Sequence, residues 1–209
     1  DVEPLQEWER RAWEALPWDD GKLCSELDLE SLWGEEGYTT LERCWARPTL
    51  EINGCWGGFT GKGTKTVIPR KASAKITFRL VPNQSPTKVL DRFEQYVRSF
   101  PLDGGRIEIA RQAEGNPVRF DAKGPAVEAA KRSLVRAFGR EPVLIREGGS
   151  IPIVAAFDRE FRVPILLLGF ARPDCRAHGP DEYFSLEDFR RAILVSASLY
   201  EELSSFSGR

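Results

Sequence analysis

The sequence predicts an α/β chain. A small antiparallel sheet with helices on one face (an α+β part) comes first, and a piece of a parallel α/β sheet follows. Three observations carry this. Residues 71–82, KASAKITFRLVP, alternate apolar and polar, the period of a half-buried strand. Residues 163–169, VPILLLG, are close to continuously apolar, as in a strand covered on both faces. Between and after them lie segments with helical apolar spacing.

Taken in order, PLQEWERRAWEAL predicts a charged helix over residues 5–16, and a second is expected near residues 21–27. A third over residues 39–46 stops before Pro48. TLEING reads as a short strand. GCWGGFTGKGTKT is too glycine-rich for regular structure and reads as a loop or bulge. In the alternating strand, Ala72, Ala74, Ile76, Phe78 and Leu80 face one way, with Arg79 on the polar side. Ser85-Pro86 opens a helix with a capping serine and proline at its first position; Val89, Leu90, Phe93 and Val97 form its buried stripe. RIEIAR, residues 106–111, alternates as a further strand. Pro125 opens a helix that buries Val127, Ala130, Leu134 and Phe138 and stops at Gly139. Residues 142–145, PVLI, form a short strand before REGGSIP, where a helix can start at Ser150. The last helix follows the cap Ser185/Asp188 and is expected to bury Leu186, Phe189, Ile193, Ala197 and Leu203.

Composition sets limits. With 41% hydrophobic and 30% charged residues, the 209-residue chain is a folded globular one. A net charge of -2 gives no electrostatic case for nucleic acid, and the longest apolar runs are too short for a membrane. No signal peptide is visible, so the four scattered cysteines are expected as reduced thiols in a cytoplasmic protein. The chain has no methionine and begins at Asp1, as expected of a trimmed chain or a piece of a longer one. All six tryptophans lie in about the first quarter, so the two ends differ in character.

Two features could carry chemistry. In REGGSIP, Gly148 and Gly149 let backbone approach a ligand, and a following helix N-terminus points N–H groups at an anion. Arg146 adds a guanidinium suited to a carboxylate. His178, the one histidine, stands in the polar loop RPDCRAHGPDE near Asp174, Asp181 and Glu182. Imidazole is a common metal ligand, but a zinc site needs three or four protein ligands. Gly61-Lys62-Gly63 puts glycine where a phosphate loop needs Ser or Thr, which rejects nucleotide binding there.

These motifs together resemble a family. Residues 37–84, GYTTLERCWARPTLEINGCWGGFTGKGTKTVIPRKASAKITFRLVPNQ, resemble the lid, or dimerisation, region of di-zinc exopeptidases and aminoacylases, carnosine dipeptidase-like enzymes above all. REGGSIPIVAAF and HGPDEYFSLEDF resemble the C-terminal part of their catalytic domain. The resemblance implies a lid over residues 1–145 and the end of a zinc-peptidase catalytic domain over residues 146–209. It implies that His178 binds one of two zinc ions and that Arg79 binds the substrate's C-terminal carboxylate. Gly149 and Ser150 would help hold that carboxylate, with Arg146 beside them. Thr66 would reach a small peptide substrate from a homodimer partner. The other metal ligands and the general-base glutamate belong to an N-terminal segment not found here, and a lid histidine is also missing. Asp181 stands where the family has asparagine. No residue of this chain is therefore assigned as catalytic. The alternative is a non-catalytic lid or dimerisation module, or an amino-acid-binding one.

Overall fold

The computed structural model describes residues 1–112, 114–147 and 151–205. It divides into two compact units. One comprises residues 1–118 and the start of a helix at 152; the other comprises residues 119–147 and the chain from residue 156 onward.

In the first unit, α1 (Glu7–Glu14), α2 (Asp20–Leu27) and α3 (Thr40–Ala46) precede the sheet. Asp19 caps α2, accepting from the N–H groups of Gly21 and Lys22. Thr39 and Glu42 form a reciprocal capping box on α3: the Thr39 hydroxyl accepts the Glu42 N–H and the Glu42 carboxylate accepts the Thr39 N–H. Trp13 meets Trp45 edge to face with centroids 5.2 Å apart, which joins α1 to α3. Arg10 reaches the buried Glu42 carboxylate at 2.7 Å across the same seam.

β1 (Thr49–Gly57) and β2 (Ala72–Arg79) form an antiparallel pair in register from Thr49↔Arg79 to Gly57↔Ala72. The ladder shifts between Ile52 and Gly54, a bulge that leaves Asn53 without an opposite residue. The glycine-rich stretch thus begins as strand: β1 continues through Cys55 and Trp56 to Gly57. The expectation that none of it is regular was too strict, because a bulge absorbs the irregularity. Gly58, with φ 70, then turns the chain out into an exposed loop. α4 (Pro86–Ser99), capped by Ser85, lies against β2 through Phe93, whose ring meets Phe78 at 5.1 Å. Its expected stripe of Val89, Leu90, Phe93 and Val97 is half-buried, while Lys88, Asp91 and Arg92 are exposed.

In the second unit, α5 (Pro125–Phe138) ends on Gly139 in the left-handed region, as expected. It packs on α7 (Leu186–Ser204), with Val127, Ala129, Ala130 and Val195 buried. Arg132–Glu202 and Arg136–Glu201 ion pairs flank the contact. α6 (Pro152–Phe161) starts in the first unit and ends in the second.

Two expectations are corrected. α7 buries Asp188, Val195 and Ser198, while Leu186, Phe189, Ile193 and Ala197 face outward. The helix carries apolar residues on more than one face, and α5 covers the other one. Residues 106–111, 142–145 and 163–169 keep a strand-like alternation of exposure in whole or in part, yet among the described residues the ladder is confined to β1 and β2. A strand satisfies its backbone N–H and C=O groups only against a neighbour, and apolar alternation alone does not supply one.

Candidate functional site

Arg79 closes β2, opposite Thr49. Its neighbour Phe78 points to α4, so strand alternation sends Arg79 to the other, exposed face. A guanidinium held at the end of a paired strand is well placed for a planar anion. Thr66 lies in the loop joining the same two strands and is exposed; the Val67 N–H bonds back to the Lys65 carbonyl at 2.9 Å. The first unit therefore brings Arg79 and Thr66 onto one hairpin.

Arg146 and His178 belong to the second unit. Arg146 is half-buried in the extended stretch after α5. Gly149 and Ser150 lie outside the described residues. His178 is exposed in a tight turn, closed by the Gly179 N–H on the Arg176 carbonyl at 2.8 Å. Arg176, His178 and Asp181 all have positive φ (55, 64 and 58), a conformation costing roughly 1 kcal/mol or more for each non-glycine residue.

Two of the carboxylates near His178 in sequence have other partners. Asp181 pairs with Arg176 at 3.7 Å. Asp174 accepts a hydrogen bond from the Tyr183 hydroxyl, which raises the Tyr183 pKa above the ordinary tyrosine value. Among the described residues no group of three His, Cys, Asp or Glu side chains could hold a metal ion. The residues described here do not build a metal site by themselves.

Sequence reading missed the Arg172–Asp188 contact. The Arg172 Nε donates to the largely buried Asp188 carboxylate at 2.5 Å, and Arg191 and Glu187 complete the cluster. The Arg172 hydrogen bond, opposed by desolvation, holds Asp188 below the ordinary aspartate range. Asp188 was legible as a cap residue, and its N–H does reach the Ser185 hydroxyl at 3.3 Å. Nothing in the spacing links it to Arg172, sixteen residues earlier.

The two-stranded sheet, α4 and Arg79 all lie within residues 6–104. Residues 6–104 match the peptidase dimerisation domain, and the chain is related to the M20 metallopeptidases. It is 32% identical to the Cys-Gly metallodipeptidase dug1 of Schizosaccharomyces pombe, over 80% of this chain and 36% of that protein. Its fold matches the M20 metallo-carboxypeptidase Sso-CP2 of Sulfolobus solfataricus with a TM-score of 0.78 and 29% identity, over 95% of this chain and 45% of the other. Human carnosine dipeptidase 1 matches with a TM-score of 0.79 and 25% identity, over 98% and 44%. The chain thus spans less than half the length of these relatives. Metallopeptidase relatives imply a divalent metal. Among the described residues no helix is long and apolar enough to cross a membrane.

Proposed function

We propose that this chain is the dimerisation and substrate-holding part of a di-zinc exopeptidase that hydrolyses the amide bond of dipeptides or of C-terminal residues. Residues 1–145 act as the lid and residues 146–209 as the end of the catalytic domain. The compact units divide earlier, after Val118, because α5 packs with α7. The observation that carries the reading is the position of Arg79: exposed at the end of β2, inside the segment that matches a peptidase dimerisation domain.

In this reading Arg79 grips the C-terminal carboxylate of a small peptide in bidentate fashion. Gly149 and Ser150 hold the same carboxylate, with Arg146 beside them. Thr66 reaches the substrate bound to the partner copy of a homodimer. His178 supplies one ligand of one of two zinc ions, and the remaining ligands and the base come from outside these residues. The protein works in the cytoplasm, which suits its four free thiols.

The test is Arg79→Lys in the intact enzyme. Lysine keeps the charge and loses the fork. Losing a charge-assisted pair weakens substrates with a free C-terminal carboxylate by about 1.5–3 kcal/mol and leaves their amidated analogues nearly unchanged. Equal losses on both substrates contradict the assignment. A second reading, an assembly module without chemistry, is favoured by one observation: among the described residues no three His, Cys, Asp or Glu side chains gather at one place. Metal-dependent hydrolysis by the intact protein excludes it.

A further inference from the structure

Glu51 is the one acidic residue of β1 and β2, and it shares a face with Arg79. Opposite residues of a ladder point to the same side, and the register pairs Thr49 with Arg79 and Glu51 with Thr77. Ile76 and Phe78 take the α4 side, so Thr49, Glu51, Thr77 and Arg79 stand together on the exposed side. Lys75 is the next residue of β2 on that side, with its ammonium 5.8 Å from the centre of the Trp56 ring. The Glu51 carboxylate is held in place: one oxygen accepts the Thr49 hydroxyl and the other accepts the Thr77 hydroxyl at 3.4 Å. Both donors are neutral, so they orient the carboxylate without cancelling its charge. An ionised carboxylate has about four acceptor positions, of which the two threonines use only part.

We propose that Glu51 sets the substrate preference of the site by recognising a positive charge on the side chain of the residue whose carboxylate Arg79 grips. The preferred substrates are then peptides that end in lysine or arginine. The inference rests on the carboxylate role proposed above for Arg79 and adds the substrate class. Glu51 is the diagonal neighbour of Arg79 across the ladder, and such positions lie about 7–8 Å apart in an antiparallel pair. That separation is comparable to the distance between the carboxylate and the side-chain cation of an extended lysine or arginine. A cation on β2 and an anion on β1 thus suit the two charged ends of one amino acid. An acidic side chain would meet Glu51 with repulsion, and an apolar one would take water from the carboxylate without replacing it. Discrimination comes from those penalties as well as from the attraction.

The test compares Ala-Lys with Ala-norleucine as substrates of the intact enzyme; norleucine has the same straight chain without the ammonium. The parent should cleave Ala-Lys with a kcat/KM about three- to tenfold higher. Glu51→Gln keeps the size, can still bond both hydroxyls and loses the charge. It should bring the two substrates to within about twofold of each other, mainly by raising KM for Ala-Lys. Glu51→Lys should turn the preference toward Ala-Glu. A parent without a preference for Ala-Lys overturns the inference, and so does a preference that survives in Glu51→Gln. An equal loss on both substrates in Glu51→Gln overturns it too, because Glu51 then only supports Arg79. Failure of the Arg79 role is read separately: Arg79→Lys then affects free and amidated substrates alike, whatever the Glu51 variants do.

Discussion

Asp188 shows how one residue can serve two purposes. Its backbone N–H completes the cap on α7, while its carboxylate is held by Arg172 in nearly buried surroundings. Its pKa lies below the ordinary aspartate value in the folded chain, with the Arg172 hydrogen bond as the largest cause. A depressed carboxylate stabilises the fold above its unfolded pKa, and that contribution is lost as pH falls through the folded one. Glu35, beside Arg47, and Glu94, beside Arg98 and Arg111, shift the same way. Thermal stability should therefore fall on acidification through the carboxylate range, and Asp188→Asn should flatten the slope while lowering stability at neutral pH. A melting profile against pH that is identical for parent and variant removes Asp188 from this account. Arg79 was legible as a polar-face residue because period-2 alternation is local. The Arg172–Asp188 pair was not, since the partners are brought together by folding.

Among the elements, α7 is the instructive one. Its start, its cap and its helical period were all readable. Its buried face was not, because Leu186, Phe189 and Ile193 make as good an apolar stripe as Val195 with its neighbours. Periodicity says that a helix has an apolar face; when it has two, only the packing partner decides. Val195 is fully buried against that partner, whereas Leu186 is 74% exposed. Val195→Ala should cost about 2 kcal/mol of unfolding free energy, and Leu186→Ala less than about 0.5 kcal/mol. Denaturant titrations of the two variants give the comparison, and a larger loss at Leu186 would reverse the assignment of faces. The cap at Ser85 gives a third point: Ser85→Ala should cost about 1 kcal/mol by leaving the Lys88 N–H without its hydroxyl acceptor. The segments at 106–111, 142–145 and 163–169 carry the local pattern of strands. Whether alternation becomes a ladder depends on neighbours that the local pattern does not contain.

At the scale of the whole molecule, large apolar side chains are conspicuously exposed. Trp33 is 98% exposed, Ile68 91% and Tyr200 76%, and α6 and α7 both present apolar residues outward. The relatives are more than twice as long as this chain, and they are metallopeptidases. The resemblance to their lids was legible because glycine-rich turns, the alternating strand and the arginine at its end keep a fixed order along the chain. The metal site was legible only in part: the sequence has one histidine, His178, and a zinc site needs three or four protein ligands. The central claim is that these residues assemble the enzyme and hold its substrate but do not themselves carry the chemistry. The most direct measurement is dipeptide hydrolysis by the purified 209-residue chain with zinc added. The account predicts no turnover above that of buffer with zinc. Turnover that follows the protein through purification and stops on chelation would contradict it.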